Sequence, residues 1–107
     1  MKKILVTGSG GIGGVNFIRA LRVIDEKFFI GGNDFNQERP EFPDVDIRVR
    51  TPRHSDPQFI PLIKKTISEY SIDFIHPQPS SEALVISEDA ELKQKTFLKT
   101  LKIKWSN

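Results

Sequence analysis

KKILVTGSGGIGGVNFIRAL (residues 2–21) is the stretch that decides the fold. Residues 3–7, KILVT, follow one another without polar alternation, the pattern of a strand buried on both faces. Six of the next seven residues that open the turn and the helix are small or glycine, and from Gly13 to about Ile24 the apolar positions Val15, Phe17, Ile18, Leu21 and Ile24 recur at helical spacing with Arg19 and Arg22 facing outward. A strand that enters a glycine-crowded turn and leaves as a helix brings free backbone amides together at the helix start, a geometry suited to an anion.

Outward from this stretch the pattern continues to alternate. KFFIGGND (27–34) reads as a second strand ending at Asp34, and NQERPEFPD (36–44), with two prolines, as a loop. VDIRVR (45–50) alternates as a half-buried strand, with Val45, Ile47 and Val49 on one face and Asp46, Arg48 and Arg50 on the other. A helix is expected from HSDPQ onward, with Ser55 or Asp56 as its cap, Pro57 in its first turn, a stripe of Phe59, Leu62, Ile63, Ile67 and Tyr70, and a late start or a bend at Pro61. FIHP (74–77) is a short buried strand stopped by PQPSS, and Ser80 or Ser81 is expected to cap a helix whose first turn holds Glu82. Strand, helix, strand, strand, helix, strand, helix predicts a three-layer, Rossmann-like α/β domain with a mostly parallel sheet of about four strands flanked by helices.

The bulk numbers bound the function. A chain of 107 residues suits one core. Sixteen basic and fourteen acidic residues leave a formal charge of +2, too balanced to argue for nucleic acid, and the eight phenylalanines do not interleave with lysines as a stacking surface would. The absence of cysteine removes disulfides and thiolate metal sites. No apolar run approaches the roughly 18 residues of a membrane span, so no membrane partner and a cytoplasmic location are expected.

Gly8, Gly10 and Gly13 stand on G-x-G-x-x-G spacing between strand and helix. In that arrangement the first glycine permits the turn, the second lets a phosphate approach, and the third packs the helix close to the sheet. Gly8, Gly11 and Gly14 form an overlapping register at three-residue intervals. Asp34 falls where a carboxylate accepts hydrogen bonds from a ribose hydroxyl, although aspartate also suits strand ends and glycine suits tight turns for geometry alone. No lysine followed by serine or threonine comes after the glycines, so the loop is not of the Walker type. Arg48, Arg50 and Arg53, with His54 beside them, form a compact basic group able to bind a phosphate or carboxylate, or to keep an edge strand from pairing. His76 ends a buried strand with no acid or metal partner in sequence and reads as structural. Lys93, Lys95, Lys99, Lys102 and Lys104 alternate with Phe97, Leu98 and Leu101 and fit a surface helix or docking segment. No catalytic residue and no metal ligand is expected.

These segments, ILVTGSGGIGG (4–14), NDFN (33–36), IRVRTPRHSDPQFI (47–60), IDFIHPQPSSEALVIS (72–87) and ELKQKTFLKTLKIKW (91–105), resemble the N-terminal preATP-grasp domain of ATP-grasp ligases of the carbamoyl-phosphate-synthase large-chain type. The resemblance implies a domain over residues 1–90 and a boundary helix and tail over 91–107, although Lys102 replaces the family's usual glycine. It implies a substrate-side domain in which Gly8, Ser9, Gly10, Gly11, Ile12 and Gly13, Asp34 with Asn36, and Gln78, Ser80, Ser81 and Glu82 line a cleft for a small-molecule substrate. It also implies that ATP and magnesium bind in lobes supplied by missing sequence or a separate subunit, without which the domain is inactive; a homodimer is compatible with it. A competing resemblance is to NAD(P)-dependent sugar epimerases and other extended short-chain dehydrogenases, whose opening TGSGGIGG fits and whose fourth strand IDFIHPQ is similar to. Against it, Tyr70 is followed four places on by Phe74 where that family has Y-x-x-x-K, and Pro77, Gln78 and Pro79 replace small residues beside the cofactor. A non-enzymatic interaction domain is the third reading.

Overall fold

The computed structural model describes residues 1–9, 12–34 and 44–95, with Ile12 and Asp34 described by their backbone. The elements run β1 (Lys2–Thr7), α1 (Ile12–Arg22), β2 (Phe28–Asp34), β3 (Ile47–Arg50), α2 (Phe59–Tyr70), β4 (Phe74–Pro77), α3 (Ser80–Ser87) and α4 (Ala90–Lys93). The four strands form one sheet in the order β3-β2-β1-β4, and every pair is parallel. The domain is therefore the expected three-layer α/β architecture.

Alternation along β1 builds both cores at once, because successive side chains leave a strand on opposite faces. Ile4 and Val6 join Ile18 and Leu21 of α1 and Ile30 of β2 on one face. Leu5 points the other way, into Phe59, Ile63, Ile67, Ile72, Ile75, Ile86 and Leu92, which belong to or flank α2, β4, α3 and α4. Each such side chain contributes about 1.5–3 kcal/mol when withdrawn from water, so the central strand is secured from both sides.

Several local expectations change. Helix α1 stops at Arg22 rather than near Ile24, and Val23 and Ile24 are exposed. Arg22 turns back to donate to the carbonyls of Phe28 and Asp44 (3.1 and 3.0 Å) and pairs with Asp46 at 3.2 Å. Helix α2 starts at Phe59, so Pro57 precedes it; Asp56 accepts from the Gln58 amide at 2.8 Å and closes the turn ahead of the helix. Pro61 then lies in the first turn, where its missing N–H costs no intrahelical bond. Neither Ser80 nor Ser81 caps α3: Pro79 occupies the cap position without a side-chain bond and both serines are exposed. Helix α4 does carry a cap, with Asp89 Oδ1 accepting from the amides of Glu91 and Leu92, both at 3.1 Å. These bonds, then Lys64 at 3.1 Å, hold the Asp89 carboxyl below its ordinary range.

Candidate nucleotide site at the carboxyl edge of the sheet

The strand order reverses direction at β1, whose neighbours β2 and β4 are reached by crossovers on opposite sides; ligands of open parallel sheets bind outside the carboxyl ends at such a point. There the chain leaves β1 through Gly8 at φ +62°, a left-handed conformation costly for any residue with a Cβ. Ser9 is buried and ties the turn to the next strand, its amide donating to the Asn33 carbonyl at 3.0 Å.

Gly14 lets α1 come down onto this turn. A methyl group added there would stand 2.6 Å from the Gly8 carbonyl oxygen and 2.7 Å from Ser9 Cα, both backbone atoms. Close packing of the helix against the turn is thus found at Gly14 rather than at Gly13. Gly13 lies instead beneath the Gln78 side chain, where an added methyl would collide with the amide nitrogen and lie 2.9 Å from Cδ. Gly10 and Gly11 lie outside the described residues, as does Asn36.

The loop after β4 closes over the same place. Pro79 rests on Gly8, its Cδ 2.7 Å from where a methyl would be, and the Glu82 carboxylate is buried just beyond at 3.8 Å. His76 Nε2 and Gln78 Oε1 are 2.8 Å apart. The His76 ring stacks on Phe17 of α1, with centroids 3.7 Å apart and planes inclined by 10°. Burial lowers the His76 pKa from its ordinary 6.5, opposed by the bond to Gln78. The structural reading of His76 now has partners, which sequence could not supply because Phe17 lies 59 positions away on another element.

On the other side of the switch point, Asp34 ends β2 in register with Arg50 of β3. Arg50, Thr51, Pro52 and Arg53 line an open hollow of about 430 Å³ among the described residues. Arg50 and Arg53 are thereby brought together, while Arg48 pairs in register with Gly32 and is not part of that lining. Asn33 and Thr51 were not anticipated. Asn33 Nδ2 donates to Thr51 Oγ1 at 3.0 Å in a buried pair, and Asn33 Oδ1 and Thr7 Oγ1 are buried polar atoms with no hydrogen-bond partner among the described residues. Their signal in sequence is faint: each is a polar residue at the end of an apolar strand, the position of a turn residue as much as of a ligand contact. A second hollow, of about 400 Å³ between α2 and α4, lies toward the amino end of β4 and away from this edge.

The arrangement is that of a Rossmann-like α/β domain in its sheet order, its glycine turn and its switch-point crevice. Among solved structures, the chain is similar to dTDP-glucose 4,6-dehydratase from Bacillus anthracis in complex with NAD, with a TM-score of 0.55 and 22% identity over 74% of this chain. The match spans 27% of the dehydratase, so the chain corresponds to about a quarter of that protein's length. At this identity the likeness establishes the fold. No known family profile and no curated protein matches the sequence.

The likeness corrects the ligase reading. The solved protein whose fold the chain shares is a dehydratase in complex with NAD, not an ATP-grasp enzyme. With that resemblance go its consequences: the role as an inactive ligase domain or subunit, ATP and magnesium as cofactors of a full ligase, and ATP-grasp lobes as the missing partner. The physical reason is plain in the elements that carried it. A strand, a glycine turn, a helix and a second strand are common to both fold types, and the discriminating tail, residues 96–107, lies outside the described residues.

Proposed function

We propose that this chain binds a nicotinamide dinucleotide, NAD or NADP, at the carboxyl edge of its sheet, as a dinucleotide-binding unit of the extended short-chain dehydrogenase or sugar epimerase kind. The observation that carries this reading is the seating of α1 on the Gly8 turn through Gly14, which brings the start of an eleven-residue helix to the switch point beside the central strand. The residues present fit the group. Gly8, Ser9, Gly10, Gly11, Ile12 and Gly13 would hold the pyrophosphate against the helix start. Asp34 would take the adenosine ribose, and Arg50 and Arg53 lie on the flank where a 2′-phosphate would be met. Asn33 Oδ1 and Thr7 Oγ1, buried and without hydrogen-bond partners among the described residues, would accept from a ligand or from water bridging to it.

The nicotinamide, when bound, supplies hydride transfer. This chain's described residues bind and orient; Tyr70, the one tyrosine, ends α2 and packs against Phe29 with ring centroids 6.4 Å apart, away from the carboxyl edge. Calorimetric titration with NADH, NADPH and ADP-ribose tests the reading. Saturable micromolar binding, weakened roughly ten- to a hundredfold by Asp34→Ala, is expected, since losing a charged hydrogen bond costs about 1.5–3 kcal/mol. Silence toward all three ligands up to millimolar concentration would overturn it.

A further inference from the structure

Gln78 sits where the two walls of the crevice meet. It leaves the end of β4, reaches across to Gly13 in the first turn of α1, and covers that glycine with its Cγ, Cδ and amide nitrogen. Its oxygen is held at 2.8 Å by His76 Nε2, and His76 is in turn clamped flat on Phe17 of α1. Phe17, His76 and Gln78 thus join α1 to the β4 loop over the place where a pyrophosphate would meet the helix start. The loop backbone is the stiff part of this clasp: Pro77 and Pro79 flank Gln78, each fixing its own φ, and Pro79 is lodged on Gly8. The amide side chain, which keeps its own rotatable bonds, is the part able to turn once the contact to His76 is given up.

Resting on the dinucleotide reading, we infer that Gln78 is a specificity-determining gate of this site, an amide held closed by His76 that a pyrophosphate-bridged ligand must displace from the start of α1. The closed form competes with the ligand, so the apparent affinity is the intrinsic affinity scaled by the fraction of molecules in which the amide has turned away. A mononucleotide seated only in the Arg50–Arg53 hollow leaves the clasp untouched, whereas a ligand spanning from that hollow to β4 cannot. The gate therefore acts on the length of the ligand and on its bridging phosphates.

The test is calorimetric titration of the full chain, of Gln78→Ala and of His76→Phe with NADH, NADPH and ADP-ribose. Gln78→Ala is expected to bind the dinucleotides and ADP-ribose about tenfold more tightly than the native chain, the factor for a gate open in roughly one molecule in ten. His76→Phe keeps an aromatic ring on Phe17 but releases the amide, and should give a smaller gain of about threefold, since the bulk of Gln78 remains. Native binding that is unchanged or weakened in both variants would overturn the gate while leaving the dinucleotide reading standing. No binding by any of the three chains would overturn the dinucleotide reading and the gate together.

Discussion

Gly13 and Gly14 are neighbours in one helix with opposite tolerances. A methyl at Gly14 meets backbone atoms that cannot withdraw, so Gly14→Ala is expected to cost about 1–3 kcal/mol in chemical denaturation. The atoms nearest a methyl at Gly13 are Nε2, Cδ and Cγ of the Gln78 side chain, which can swing aside, and alanine is the better helix former; Gly13→Ala should be neutral or stabilising by up to about 1 kcal/mol. Equal losses at the two positions would contradict this packing. Sequence spacing offered both glycines for the one role, because overlapping registers cannot be told apart without the angle at which α1 meets the turn. His76 has its own signature. Its folded pKa lies below the ordinary 6.5, so as pH falls through that value the unfolded chain binds the proton first and the native state loses stability. Denaturation midpoints between about pH 7.5 and 5.5 should fall less in His76→Phe than in the native chain; parallel curves would sink the assignment.

Element boundaries follow local chemistry that the periodicity of apolar residues does not record. The stripe of α2 was legible, and Phe59, Ile63 and Ile67 are buried as expected, yet the helix begins only after the Asp56–Gln58 turn. At its far end Ser71 adopts φ 56° and ψ 49°, and its amide bonds back to the Ile67 carbonyl. This is a left-handed stop made without glycine, invisible in the letters YSID. Ser71→Gly should stabilise the domain by about 0.5–1 kcal/mol, read as a raised thermal midpoint, because glycine enters that conformation without a Cβ clash. A lowered midpoint would show that the serine side chain contributes more than its strain costs. The serines at the start of α3 taught the reverse: residues with capping chemistry stood in the right place, but Pro79, braced on Gly8, took the cap position first.

At the scale of the whole molecule, the alternation of strands and helices sufficed for the architecture, since parallel neighbours require crossovers and two apolar sheet faces require two helical layers. What it could not supply was the meeting of distant residues: Asn33 with Thr51, His76 with Phe17, Gln78 with Gly13. Those pairings make the candidate site, and each depends on the strand order, which places β1 at the centre.

That central position also sets a timetable. Of the four described strands β1 is synthesised before the others, and its β2 edge is satisfied early by the neighbouring β1–α1–β2 unit. Its other edge waits for β4: Lys3 bonds to Asp73 through both its amide (2.9 Å) and its carbonyl (2.8 Å), across seventy residues of chain. At roughly 5–20 residues per second, translation leaves the strand half-paired for several seconds. During that interval a nascent chain presents the unpaired backbone groups of an apolar strand to its surroundings, and it is the arrival of β4 at that edge which closes the exposure.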